Sequence, residues 1–308
     1  MSLAFLYAGQ GSQHPGMGAD LYEAYPVFKE ILDSAQVDFD LKAVSFTDPD
    51  GVLNQTEYTQ PCMVAFAAGM TAILAQLGIT PDYAAGLSLG EYSALQCAGV
   101  FTPAQAISLA AFRGKAMASA AAGMDCGMTA VLGLDREKLQ QACDQASDAG
   151  VVEIANYNCP GQLVIGGQKE AVDKAAALAK ELGAKRCMPL KVSGPFHTSL
   201  LRPAGDALRE KFREITFGTP RFPVLFNCLG REMGETDTIP ALLEKQVQSS
   251  VYMEDTIRRL EELGVDTIVE IGPGKALSGF VKKTAPSIKT YAVETCADID
   301  ALATALKG

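Results

Sequence analysis

The chain is poor in residues that signal metal, redox or disulfide chemistry. Only two histidines occur in 308 residues, and the eight cysteines are scattered without a Cys-x-x-Cys pair. Neither a zinc-ligand spacing nor a disulfide framework is signalled, so reduced thiols, no metal and no cofactor are expected. Positive charge is also scarce: 26 Lys and Arg face 36 Asp and Glu, a formal net charge of −10. That balance argues against general nucleic-acid binding, because affinity for phosphates rests on cationic side chains. No apolar stretch approaches the ~20 residues needed to cross a bilayer; the best candidate, Met63 to Leu77, is interrupted and followed by Gly78. The apolar start, Met1 to Ala8, is short, lacks a basic leader and runs into a glycine-rich loop, so it reads as a buried first strand rather than a signal peptide. A cytoplasmic protein with no membrane role is expected. With 48% hydrophobic and 20% charged residues and no low-complexity tract, the composition is that of an ordinary globular protein.

What is present is a regular alternation of elements. Strands near Leu3–Ala8 and Tyr83–Gly86 and helices near Ala19–Ser34 and Gln60–Leu77 have the rhythm of an α/β sheet covered by helices. Further helices are expected near Gly90–Cys97 and from Thr102 to about Ala120, the latter opened by an N-cap threonine and a proline at its first position. From Gly127 the order becomes strand, helix, strand, strand, helix, strand, the ferredoxin-like sequence of elements. It predicts a small subdomain at residues 124–193 inserted into a large α/β domain formed by residues 1–123 and 194–308. The resumed part is expected to hold a helix over Leu200–Arg213, a strand at Val224–Asn227, helices near Ile239–Gln248 and Met253–Leu263, and a strand at Thr267–Ile271.

The most informative segment is Gly86-Leu87-Ser88-Leu89-Gly90-Glu91. Between a predicted strand and a predicted helix it fits the Gly-x-Ser-x-Gly nucleophile elbow, which holds a serine on a strained turn. The helix N-terminus behind it offers N–H groups to developing negative charge, which makes the backbone of Leu89 an oxyanion donor. A serine hydroxyl needs a positioned base. His197, in the loop Ser193-Gly194-Pro195-Phe196-His197-Thr198, is assigned that role; His14, beside Pro15, reads equally as a solvated loop residue. Gly9-Gln10-Gly11-Ser12-Gln13 follows the first strand and completes neither phosphate-loop pattern. It is either a strand-end turn or a loop whose glutamine points an amide at a substrate oxygen. Arg113 lies among Ile107, Leu109, Ala110, Ala111 and Phe112. It reads as a buried fork for a carboxylate, as half of an internal salt bridge, or as an exposed side chain.

These segments, with Glu270-Ile271-Gly272-Pro273-Gly274 near the end, occur in the order found in malonyl-CoA:acyl carrier protein transacylases, which the chain resembles along nearly its whole length. The resemblance implies a hydrolase-like α/β domain with a ferredoxin-like insert, and malonyl transfer through an ester on Ser88 with malonyl-CoA and holo-acyl carrier protein as partners. It implies His197 as base, oriented through the main-chain carbonyl of Gln246, an oxyanion hole of Gln10 and Leu89, and Arg113 as the grip on the malonyl carboxylate. Phe196 resembles the residue associated with malonyl over methylmalonyl selection. Many members carry histidine where this chain has Leu87, which bears on the polarity of the site and on acyl preference rather than on the reaction. Lys185, Arg186, Lys191, Lys282 and Lys283 are candidates for docking the acidic carrier protein, and a monomer is expected.

Overall fold

A computed structural model describes residues 1–307, and the chain forms two compact units. The first comprises Met1–Lys115, Phe217–Phe226 and the chain from Arg258 onward; the second comprises Ala116–Thr216 and Asn227–Ile257.

The first unit is built on four parallel strands in the order Lys289–Val293, Thr267–Ile271, Leu3–Tyr7, Tyr83–Gly86. Leu3–Tyr7 is buried at every position, as a central strand covered on both faces must be, and this is why it reads as a continuous apolar run. Tyr7 is level with Ile271 on one side and Gly86 on the other. The loops after these three strands therefore leave from one carboxyl edge, the edge at which open α/β sheets bind ligands. They are the Gly9–Gln13 loop, the Ser88 elbow and the Gly272-Pro273-Gly274 turn.

Several helices depart from the sequence expectation. The single helix expected over Ala19–Ser34 is two, Ala19–Ala24 and Pro26–Asp33, separated by an extended Tyr25, because a proline disfavours the helical region for the residue before it. The helix expected from Gln60 begins at Thr56 and runs unbroken to Gln76 with Pro61 inside. By length and composition it could cross a membrane, but 83% of its most apolar window is buried inside the protein, and it is a core helix. The strand Lys289–Val293 and the helix Cys296–Lys307 add to the elements expected from sequence.

In the second unit, Arg186–Pro189, Cys126–Leu132, Gln162–Gln168 and Val152–Cys159 form an antiparallel sheet in that spatial order, the ferredoxin-like arrangement. Helices Arg136–Ala146 and Lys169–Glu181 bury Leu139, Ala142, Ala171, Val172 and Ala175 against it. A fifth strand, Val251–Tyr252, pairs parallel with Asn156–Tyr157. This pairing, with the Ser250 hydroxyl donating to the Ile154 carbonyl (2.6 Å) and the Ser199 N–H to Glu153 (2.8 Å), ties later chain to the small sheet. The compact units consequently divide the chain differently from the expected boundaries at 123 and 194: residues 194–216 and 227–257 belong with the ferredoxin-like part, and the first boundary falls inside the helix Pro103–Ala121.

Burial pushes the thiols of Cys62 and Cys143 up to about 12 and that of Cys97 to about 11, so these cysteines are packing residues rather than nucleophiles.

Candidate active site

At the end of Tyr83–Gly86 the chain turns through Leu87 and Ser88 into the helix Gly90–Cys97. Ser88 has φ of 53°, in the left-handed region that non-glycine residues seldom occupy. Among the described residues only Asp48, Ser88 and His197 share this feature outside glycine. Two of those three are the nucleophile and the base expected from sequence, and such strain persists only where surroundings impose it. Here they do. A Cβ on Gly86 would lie 2.0 Å from the Gly90 carbonyl carbon, and one on Gly90 would lie 2.3 Å from the Tyr7 carbonyl oxygen. The elbow thus needs glycine at both flanks because main chain touches main chain. Gly86→Ala is expected to destabilise the protein by about 3 kcal/mol or more, read as a drop in the denaturation midpoint; an unchanged midpoint would mean that the turn can open without cost.

The N–H groups of Gly90 and Glu91 return to the carbonyls of Leu87 and Ser88 (2.9 and 3.1 Å), whereas the Leu89 N–H, just before the helix, has no hydrogen-bond acceptor among the described residues. The Gly9–Gln13 loop lies against the elbow so closely that a Cβ on Gly9 would sit 2.5 Å from the Leu87 carbonyl oxygen. The Gln10 N–H likewise has no acceptor among the described residues. The Gln10 side chain is engaged: its Oε1 accepts from the Thr56 hydroxyl at 2.7 Å.

Arg113, on the helix Pro103–Ala121, is 1% exposed. Its Nη1 donates to Gln60 Oε1 (2.8 Å), its Nη2 to Ser88 Oγ (3.3 Å), and its guanidinium lies 5.5 Å from the centre of the Tyr92 ring. Burial pushes its pKa down while Tyr92 and Glu91 hold it up; a guanidinium stays cationic under such opposing influences. Burial removes the exposed alternative, and the contact with Ser88 puts a cation beside the expected nucleophile. Gln60 Nε2 continues the network to Thr56 Oγ1 at 2.9 Å. Ser88, Leu89, Gln10 and Arg113 are therefore brought together within the first unit.

His197, Phe196 and Gln246 lie in the second unit and are all buried. His197 Nδ1 is 2.9 Å from the Gln246 main-chain oxygen, at the end of the helix Ile239–Val247. A carbonyl only accepts, so Nδ1 carries a proton here; in the neutral ring Nε2 is then the lone-pair acceptor that a general base requires. The other histidine, His14, bonds the Pro15 carbonyl and pairs with Glu294, and these partners raise its pKa. It is half-exposed, at 51%, and acts as a surface link between the first loop and later chain.

Sequence reading assigned no roles to Thr56, Gln60 or Glu270. The first two are polar residues four apart on a mostly apolar helix, a pattern that signals a buried hydrogen-bonded pair without naming its partners. Glu270, 1% exposed, accepts from the N–H groups of Leu277 and Ser278 (3.0 and 2.7 Å), so this part of the Glu-Ile-Gly-Pro-Gly motif caps the helix Ala276–Thr284. Glu270→Gln turns one acceptor into a donor aimed at donors and is expected to cost about 1–3 kcal/mol of stability. Denaturant titration reads this directly, and a loss below that range would remove Glu270 as the cap.

Comparison with known proteins agrees with this architecture. Residues 4–300 match the acyl transferase domain family, which makes the chain an acyltransferase. Within that class it belongs to the malonyl CoA-acyl carrier protein transacylases. It is 42% identical to the Bacillus subtilis protein of that name over 94% of this chain and 93% of that one. The crystal structure of the Clostridium perfringens transacylase is similar with a TM-score of 0.97, at 38% identity, covering 100% of this chain and 98% of that one. A malonyl transacylase solved in complex with its type II polyketide acyl carrier protein is similar with a TM-score of 0.95, at 37% identity, covering 99% of this chain and 100% of that one.

Proposed function

We propose that this protein transfers malonyl from coenzyme A to the phosphopantetheine thiol of acyl carrier protein for fatty-acid elongation, using Ser88 as nucleophile and His197 as base. One observation carries the site assignment: a buried guanidinium stands 3.3 Å from the hydroxyl of a serine held in a strained elbow. In a malonyl group the carboxylate carbon and the thioester carbonyl carbon are only about 2.5 Å apart. A carboxylate on Arg113 therefore leaves the carbonyl within reach of Ser88 Oγ, and acetyl, which has no carboxylate, forfeits that anchor.

In the first half-reaction Ser88 Oγ attacks the thioester carbonyl while His197 Nε2 takes its proton. The tetrahedral oxyanion is held by the backbone N–H groups of Leu89 and Gln10, each worth ~3 kcal/mol in the transition state. Collapse expels the coenzyme A thiolate, which takes the proton from His197. The carrier-protein thiol then attacks the ester, giving its proton to His197, and Ser88 leaves with that proton. Phe196 is assigned the selection against an α-methyl branch, on the family resemblance. The protein works in the cytoplasm as a monomer in this reading.

The acidic carrier protein requires basic docking residues. Lys185, Arg186 and Lys191 are exposed on the second unit, and Lys282 and Lys283 on the first. Reversing both charges at Lys282 and Lys283 is expected to raise the carrier-protein KM several-fold with the malonyl-CoA KM unchanged; an unaltered carrier KM would remove this pair.

The reaction is tested by intact-protein mass spectrometry after brief mixing with malonyl-CoA, then with holo-acyl carrier protein. The expected result is a malonyl adduct on Ser88 that moves to the carrier. Free malonate in place of transfer would make the protein a hydrolase, and labelling of another residue would overturn the nucleophile.

A further inference from the structure

We propose that the Thr56 hydroxyl is a positioning residue for the oxyanion hole, joined to the carboxylate grip by one hydrogen-bond chain, Arg113–Gln60–Thr56–Gln10. The inference rests on the oxyanion hole proposed above and adds a residue to which no role is otherwise assigned.

The chain admits one direction. A guanidinium only donates, so the end of Gln60 facing Arg113 is its carbonyl, and its Nε2 must point the other way. That Nε2 donates to Thr56 Oγ1. The threonine hydroxyl, having accepted there, has its own proton to give, and Gln10 Oε1 receives it at 2.7 Å. Thr56, Gln60 and Arg113 are each at most 1% exposed, so water does not compete for the bonds among these three, while Gln10 at the end of the chain is half-buried. Gln10 needs such an anchor because of its neighbours. It stands between Gly9 and Gly11, the latter at φ of 113°, and glycines leave a short loop free to rotate. The bond from Thr56 holds Gln10 from outside that loop, and with it the N–H that receives the oxyanion. A donor already in place needs no reorganisation in the transition state, which is where its value lies.

The test measures acylation by rapid quench in Thr56→Val, Thr56→Ser, Gln10→Ala and the Thr56→Val/Gln10→Ala pair, with malonyl-CoA and with acetyl-CoA. Thr56→Val keeps the branched shape and loses the hydroxyl. It is expected to slow acylation about 10-fold or more with both thioesters, since the oxyanion is common to them. Malonyl-CoA affinity, measured in a Ser88→Ala background, should change less than about 3-fold, and Thr56→Ser should recover most of the rate. Gln10→Ala should reproduce the loss, and in that background Thr56→Val should add less than about 3-fold. Gln10→Ala reads the same contact from its other end should Thr56→Val fold poorly. Wild-type rates in Thr56→Val or in Gln10→Ala, an undiminished Thr56→Val effect in the Gln10→Ala background, or an affinity loss equal to the rate loss would overturn the proposal. Failure of the underlying reaction is distinct: the unmodified protein would then form no ester on Ser88.

Discussion

Ser88→Ala is expected to abolish the malonyl-enzyme and to lower transfer to acyl carrier protein by at least about 10⁴-fold, with little loss of stability. The alanine keeps the Cβ and the backbone of the elbow, so Gly86 and Gly90 remain in contact and the Leu89 N–H keeps its place. Only the oxygen that accepts from Arg113, and on which the ester is proposed to form, is removed. Because the strain at residue 88 resides in its φ rather than in the hydroxyl, the variant retains it. Ser88→Gly should instead be more stable by about 1 kcal/mol while equally inactive. Adduct mass and transfer rate are the measurements; a persistent adduct in Ser88→Ala would place the nucleophile elsewhere.

Arg113→Ala is expected to reduce malonyl acylation of the enzyme by about 10²- to 10³-fold, the equivalent of about 3–4 kcal/mol, within the range for removing one partner of a buried charged pair. Acetyl acylation should fall far less, so the preference for malonyl should largely collapse. Both substrates are needed, because the substitution also deprives Gln60 Oε1 of a donor and opens a cavity in the core. Acetyl-CoA reports those structural costs, and the ratio of the two rates isolates the carboxylate contact. Arg113→Lys should fall between, keeping the charge while losing the fork that reaches Gln60 and Ser88 together. Equal loss with both thioesters would leave Arg113 a structural residue.

The two variants probe different steps, which the buried polar chain brings together. Arg113 is expected to set which acyl group is held, Ser88 to carry it, and the Leu89 and Gln10 N–H groups to stabilise the charge that forms on its carbonyl. Glu270 contributes from behind this site by capping the helix that follows the Gly272-Pro273-Gly274 turn, so its loss should appear in stability before it appears in selectivity.

Much of the site and of the element order follows from the amino-acid sequence alone, because it is local. The strand-serine-helix context of Ser88, the two glycines around it and the ferredoxin-like element order are properties of contiguous chain, and motif spacing and hydrophobic period express them directly. The same locality explains the family resemblance, whose segments are each short. Tertiary structure decided what distant residues do for one another. Thr56 meets Gln10 across 46 positions and Gln60 meets Arg113 across 53, and no periodicity encodes such a meeting. Setting aside the exposed reading of Arg113 required its burial, and finding it beside Ser88 required the tertiary distance. The division of the chain into units was also beyond local pattern, since it turns on Val251–Tyr252 pairing with a strand almost a hundred residues earlier. Sequence pattern tells which face of an element is apolar; which polar groups share that buried space depends on how the elements pack, and a buried polar group is defined by its partner.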